Sequence, residues 1–258
     1  MKPSQRRERI LALVREAEVM TIDELVEVMG VSSSTVRRDI NRLMEVGDLI
    51  ALRGGSVRLN EQVSEPSTSA KALLNPAAKT VIAEVAANLV DDGDVIYLDS
   101  GSSALQMMPL LQHKRIQLVT SNMQVLALAD DFAGSIIVLG GEYLPNLGSV
   151  VGPMTARELS QMSFDKAFIG ASGCSRRGGI NTFDMREASK KRIVHERTRR
   201  PYVLADSSKF GVDTFYTAID LAECQVITEA YDELLESAQG YLIAAPPRHE
   251  DLSAPPSE

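Results

Sequence analysis

The run Val31-Ser32-Ser33-Ser34-Thr35-Val36-Arg37-Arg38-Asp39-Ile40-Asn41-Arg42-Leu43 carries an apolar stripe and a polar face at helical spacing. Ser32 is a suitable N-cap and Gly47 a suitable terminator. At the pitch of an α-helix, Val36, Ile40 and Leu43 fall within about 60° of one another and form a buried stripe. Ser34, Arg37, Arg38 and Asn41 then lie on the opposite side. Two guanidiniums, a hydroxyl and an amide are the donor set that binds phosphates and base edges.

Upstream, the spacing predicts two more helices. One runs over about residues 6–16 with Ile10, Leu13 and Val14 inward. The next opens at Thr21-Ile22-Asp23-Glu24, a capping box, buries Ile22, Leu25, Val26 and Met29, and stops at Gly30. Two short helices joined at Gly30-Val31 form a helix-turn-helix. Taken alone, Arg37 and Arg38 also fit a solvated surface helix. Downstream, Leu49–Arg53 and Ser56–Leu59 flank Gly54-Gly55, the pattern of a tight hairpin. Arg53 near its tip makes the hairpin a wing suited to the DNA backbone or minor groove, and this favours the DNA-binding reading.

The chain of 258 residues has a net charge of −8, which argues against nonspecific coating of DNA. The charge is divided unevenly. Residues 1–60 hold ten basic and nine acidic side chains, so the rest carries the whole acidic excess. No apolar run approaches the length of a membrane span, and the basic N-terminus leads into an amphipathic stretch rather than a signal-peptide core. A cytoplasmic protein is expected. Cys174 and Cys224 lack metal-ligand spacing and read as buried free thiols; His113, His195 and His249 read as surface residues. No metal site, cofactor site or catalytic set is indicated.

Residues 61–76, with two prolines and several serines, read as a linker with a short ordered piece at Ala72-Leu73-Leu74, and residues 245–258 as a disordered tail. Between them, residues 77–244 alternate apolar runs with amphipathic stretches, which predicts a largely parallel α/β sheet covered on both faces. The runs are Val95–Leu98, Ile116–Val119, Ile136–Leu139, Ala167–Ile169, Tyr202–Ala205 and Gln225–Ile227. Five of them end in small polar residues: Asp99-Ser100-Gly101-Ser102-Ser103, Thr120-Ser121-Asn122, Gly140-Gly141, Gly170-Ala171-Ser172-Gly173 and Asp206-Ser207-Ser208-Lys209. Ligands of open α/β sheets bind at that edge. Ser100–Ser103 leading into a helix suits a phosphate, and Lys209 can add charge. Any parallel sheet also needs small turn residues there, so a purely structural role stays open.

The serine-threonine-arginine-arginine-aspartate pattern completed by Ser34, Thr35, Arg37, Arg38 and Asp39, with Arg6–Leu11 before it and Gly54-Gly55 after it, resembles the DeoR family of bacterial regulators. The resemblance implies a winged helix-turn-helix at residues 1–60 whose operator contacts are Ser33, Ser34, Thr35, Arg37, Arg38, Asn41 and Arg53. Asp39 is expected to brace a neighbouring Arg, since a carboxylate beside phosphate is unfavourable. The rest of the chain resembles the family's effector domain, similar in fold to ribose-5-phosphate isomerase. This implies an effector site of Asp99, Ser100, Gly101, Ser102, Ser103, Ser121, Asn122, Gly140, Gly141, Gly170, Ser172, Glu187, Asp206 and Lys209. The isomerase's Arg-Glu helix start is matched by Arg186-Glu187, so an isomerase carrying an accessory DNA-binding domain is the rival. Gly170-Ala171-Ser172-Gly173 lacks the enzyme's paired acids, and a base alone contributes only ~10²–10⁴-fold. The favoured expectation is a non-enzymatic, homo-oligomeric repressor (dimer or tetramer) of a sugar or sugar-alcohol utilisation operon. It would be released by a phosphorylated sugar or sugar alcohol. The segments Gly101–Leu111 and Ala205–Gly211 resemble family members that respond to a hexitol phosphate such as glucitol 6-phosphate.

Overall fold

The computed structural model describes residues 3–45, 48–52, 55–59 and 65–244 and divides the chain into two units, Met1–Pro66 and Ser67–Glu258. In the first, α1 (Pro3–Ala17), β1 (Val19–Thr21), α2 (Ile22–Met29) and α3 (Ser33–Glu45) precede β2 (Leu49–Ala51) and β3 (Ser56–Leu59). Thr21 caps α2 through the full capping box, and Gly30 ends it in the left-handed region at φ 63°, its amide on Val26 O. Ser32 Oγ accepts from Thr35 N at 3.4 Å and opens α3. Ile10, Val14, Leu25, Val36, Ile40 and Leu43 meet in one core, so the three helices are locked by the stripes their spacing defines.

The hairpin is closed by Leu52 N donating to Ser56 O at 2.8 Å. Arg53, Gly54 and Gly47 lie outside the described residues. A third strand was not expected: β1 pairs antiparallel with β3, giving the order β1-β3-β2. Three residues are too few to show a period of two, and Thr21 reads as a helix cap although it also closes the strand.

The larger unit contains α4 (Thr68–Leu73), α5 (Pro76–Asn88), β4 (Val95–Leu98), α6 (Ser102–Leu105), α7 (Met108–Leu111), β5 (Gln117–Thr120) and β6 (Ser135–Val138). Next come β7 (Glu142–Leu144), β8 (Ser149–Val151), α8 (Pro153–Ser160), β9 (Phe164–Gly170), β10 (Gly173–Ser175), β11 (Gly179–Thr182) and α9 (Met185–Glu196). It ends with β12 (Thr198–Leu204), β13 (Tyr216–Ile219), β14 (Gln225–Thr228) and β15 (Gly240–Ile243). Seven strands form one sheet, β15-β14-β12-β9-β4-β5-β6, with every pairing parallel.

Alternation along β4 assigns the two faces. Ile96 and Leu98 pack in one core with Ile82 and Ala86 of α5, while Tyr97 packs in the other with Leu159 of α8 and Val194 of α9. From β4 the chain winds outward through β5 and β6, then returns to β9 on the other side and winds away through β12, β14 and β15. The switch point lies between β4 and β9, and ligands of open α/β sheets bind at the strands' carboxyl ends at such a point. Gly101 and Gly170 come together at this point; a Cβ on Gly170 would lie 3.4 Å from Gly101 Cα.

The stretch read as a linker contains α4 and the first residue of α5. Composition does not show the contacts that order it. Thr68 N donates to Asn146 O at 2.9 Å, and its buried hydroxyl donates to Leu147 O at 2.6 Å. Residues 245–258, read as a tail, lie outside the described residues.

Candidate functional site

On α3, Val36, Ile40 and Leu43 are buried while Ser34, Arg37, Arg38 and Asn41 are exposed. Ser33 and Thr35 are half-buried. The first accepts from Arg37 Nε at 3.4 Å, and the second shares a 2.8 Å hydroxyl contact with Ser32. Arg37 and Asn41 line a groove with Ile22, Ala51 and Ser56, between the outward face of α3 and the hairpin. Asp39 is buried beneath this face and pairs with Arg6 of α1, Nη2 to Oδ1 at 3.2 Å. Hydrogen bonding to Asp39 pushes the Arg6 pKa up. The brace therefore runs between helices, not to a neighbour on α3.

In the larger unit, the loops after β4, β5 and β9 meet the N-terminal half of α9 in a buried polar cluster. Asp99 Oδ2 accepts the Gly170 amide at 2.9 Å and pairs with Lys191. Glu187 Oε1 pairs with Lys190 at 2.8 Å and accepts the Ser149 hydroxyl at 2.6 Å. Lys190 Nζ also donates to Ser121 Oγ at 2.8 Å and Ser149 Oγ at 2.7 Å. Tyr97 and Ser121 hydroxyls are 2.9 Å apart, and Ser100 Oγ lies 3.5 Å from Glu187. Two carboxylates and two ammonium groups, all buried, balance in charge. Each survives without water because the others and the hydroxyls satisfy it.

Burial pushes the Asp99 carboxyl up, but the ammonium groups of Lys191 and Lys190 and the hydrogen bonds outweigh it and hold the pKa at about 2. The unfolded value is near 3.9, so Asp99 contributes stability that is complete above pH ~4 and lost as pH falls through about 2. Its size is on the order of 2 kcal/mol. Urea unfolding at pH 4.5 and pH 2 should therefore show a steeper loss in the wild type than in Asp99→Asn. Equal losses would mean that the carboxylate is not held by the lysines.

Asn122 is wholly buried beside Ser149, to which it is joined by a β-bridge. Its Oδ1 accepts from Gln124 N at 3.0 Å, whereas its Nδ2 has no hydrogen-bond partner among the described residues. A buried donor left unmade costs about 1–3 kcal/mol, which a ligand oxygen could recover.

After β12, Asp206 accepts from Asn75 Nδ2 at 2.9 Å and lies 3.4 Å from Lys79. Burial pushes its pKa up, but hydrogen bonds from Ser208 and Asn75 and the charges of Lys209 and Lys79 hold it below the usual range. Lys209 ends the 3-10 turn Ser207–Lys209, its amide on Asp206 O at 2.9 Å. Ser172 accepts from Lys71 Nζ at 3.4 Å. Ser102 and Ser103 are buried in α6, whose N-cap Gly101 gives the first turn no side-chain bond. One turn has little macrodipole, so what α6 offers an anion is amide donors.

Gly140 and Gly141 belong to a different arrangement. Gly140 N donates to Glu158 Oε2 at 2.9 Å, and a Cβ on Gly141 would lie 2.2 Å from Thr155 Oγ1. Their contacts on α8 give these glycines a packing reason. Sequence reasoning missed Tyr97, Ser149, Lys190, Lys191, Lys79, Asn75 and Lys71. For two of them a signal existed: Lys190 and Lys191 stand three and four residues after Glu187, on one helix face.

The thiols are buried, and burial pushes Cys174 up to about 12 and Cys224 higher still. His113 is exposed, and His249 lies outside the described residues. His195 is half-buried rather than on the surface, its Nε2 3.1 Å from Glu223 O. Among the described residues, no group of His, Cys, Asp and Glu could hold a metal ion, and no helix is long and apolar enough to cross a membrane.

A family model described as the DeoR-like helix-turn-helix domain matches residues 6–62, and one described as the DeoR C terminal sensor domain matches residues 74–230. The uncharacterized HTH-type transcriptional regulator FruR of Bacillus subtilis (strain 168) is 33% identical, over 91% of this chain and 94% of its own length. The glycerol-3-phosphate regulon repressor of Escherichia coli (strain K12) is 31% identical, over 91% of this chain and 99% of its own. Both are named as transcriptional regulators, not as enzymes. Among solved structures, ribose 5-phosphate isomerase A from Methanocaldococcus jannaschii aligns at a TM-score of 0.39 and 22% identity, over 53% of this chain and 55% of that one.

Proposed function

Since the chain belongs to the DeoR family of helix-turn-helix transcriptional regulators, we propose that it represses a sugar or sugar-alcohol utilisation operon and is released when a phosphorylated sugar binds its sensor domain. The protein acts in the cytoplasm as a dimer or tetramer whose winged domains occupy operator half-sites. Arg37, Arg38, Asn41 and Ser34 face the major groove, Ser33 and Thr35 set the start of the recognition helix, and Arg53 is assigned to the DNA backbone or minor groove. Arg38→Ala weakens operator binding by at least ~1 kcal/mol, the low end for a lost specific contact. Unchanged affinity in an anisotropy titration at fixed salt would remove Arg38 from the interface.

The observation that carries the sensor half is the unmatched Nδ2 of buried Asn122 beside the polar cluster at the switch point. The cluster is already balanced in charge, so it suits hydroxyls, which both donate and accept. The amides of Gly101–Ser103 and the charge of Lys209 then serve the phosphate. Relatives support a phosphorylated effector, one being named for the glycerol-3-phosphate regulon. A hexitol phosphate such as glucitol 6-phosphate is the proposed ligand. Glu187 is engaged by Lys190 and Ser149, an arrangement suited to holding a hydroxyl rather than to taking a proton.

The experiment is a thermal-shift panel of hexitol, hexose and pentose phosphates, each beside its unphosphorylated partner. Ligand at 100 times its Kd adds ~2.7 kcal/mol, roughly 5–10 °C for a domain of this size. A shift with a phosphate and none with its free sugar is expected. Flat curves throughout would make the strand-end residues structural turns.

A further inference from the structure

The short helix α4 is tied to three loops, each of which holds part of the sensor site. Thr68 reaches the β7–β8 turn through Asn146 O and Leu147 O, and that turn leads directly to Ser149. Lys71 Nζ donates to Ser172 Oγ at 3.4 Å, in the loop after β9. Just beyond α4, Asn75 donates to Asp206 Oδ1 at 2.9 Å in the loop after β12, and Lys79 lies 3.4 Å from the same carboxylate. The helix also packs on α6, the turn that follows Ser100-Gly101. It therefore ties together loops at the strands' carboxyl ends.

Two further features bear on its role. The apolar side chains at its C-terminal end point outward, Leu73 being 73% exposed and Leu74 38% exposed. Polar ties, which a polar ligand can exchange, thus contribute much of what seats the helix. It is also the first element of the larger unit, following directly on the residues that lead from the DNA-binding unit.

We propose that α4 is a strap across the sensor site, that Lys71 contacts the phosphate of a bound sugar phosphate, and that the movement of α4 carries occupancy to the DNA-binding unit. This rests on reading that site as a sugar-phosphate sensor. A phosphate dianion is a strong charge-assisted partner for an ammonium group, so ligand at the loop after β9 draws Lys71 and α4 inward. Thr68 is a positioning residue. Its hydroxyl bond to Leu147 O fixes the N-terminal end of the strap, so that movement at Lys71 is passed on along the chain rather than absorbed.

The test uses the full chain, an operator duplex selected from random sequence, and glucitol 6-phosphate, fructose 6-phosphate and ribose 5-phosphate as probes. Calorimetry reads probe affinity and anisotropy reads operator release. Lys71→Met is expected to weaken the best probe roughly tenfold, without weakening any binding of the matching unphosphorylated polyol or sugar. Thr68→Val is expected to keep probe affinity within about twofold yet move the release midpoint more than tenfold, with Thr68→Ser restoring it. Wild-type probe affinity with Lys71→Met, or a wild-type release midpoint with Thr68→Val, would overturn the strap. If Thr68→Val does not fold, Lys71→Met decides alone. A wild-type protein that binds none of the probes would overturn the sugar-phosphate reading itself, and the strap with it.

Discussion

Lys190→Met is expected to destabilise the larger unit by ~3–5 kcal/mol, the range for removing one partner of a buried ion pair, and to lower its Tm by roughly 10 °C. The ammonium is 2% exposed and donates to Glu187, Ser121 and Ser149. It also lies 4.0 Å from Asp99. Methionine fills much of the same volume but leaves two carboxylates facing one lysine, Lys191, and two hydroxyls without their donor. Adding Glu187→Gln should recover part of the loss, because it removes the charge that Lys190 was matching. Calorimetric melts of the two single variants and the double variant give the coupling. A loss below 1 kcal/mol in Lys190→Met would mean that the cluster is hydrated and not a buried charge network.

Lys209→Ala is expected to abolish release from the operator at effector concentrations that fully release the wild type, with operator affinity unchanged. The backbone of Lys209 is fixed by the 3-10 turn and by Asp206, which Asn75 and Lys79 anchor. That backbone is therefore held at the strand-end loop, with the side-chain charge within electrostatic reach of Asp206. A charge-assisted hydrogen bond is worth about 1.5–3 kcal/mol, or roughly 10–100-fold in effector affinity. Operator anisotropy with rising sugar phosphate measures this directly. Normal release of the variant would assign the phosphate to other groups.

Much of the DNA-binding unit was legible in the sequence, because its signals are local. The capping box at Thr21, the left-handed Gly30 and the stripe Val36-Ile40-Leu43 each depend on residues a few positions apart. The strand β1 was missed because its pairing partner lies more than thirty residues away. In the larger unit, apolar runs predicted six of the seven sheet strands, and β15 escaped as a four-residue run beside the tail.

The small polar residues at strand ends were visible as types, but their grouping was not. Asp99, Ser100, Ser121 and Glu187 meet in one cluster only because the chain reverses its winding between β4 and β9. Lys190 and Lys191 were hidden for a related reason. A lysine-rich helix reads as a solvated face, and only the packed structure shows both ammonium groups buried against carboxylates. The ordering of α4 was only partly legible: a short ordered piece was expected at Ala72-Leu73-Leu74, but the hydroxyl of Thr68 meets a carbonyl 79 residues away.

The most direct test is an anisotropy titration of the protein–operator complex with glucitol 6-phosphate, other sugar phosphates and their unphosphorylated partners, at fixed salt. Release by one phosphate, and none by its free sugar or polyol at the same concentration, is the predicted result. A complex that persists through every phosphate, or that yields equally to the unphosphorylated partner, would contradict the account.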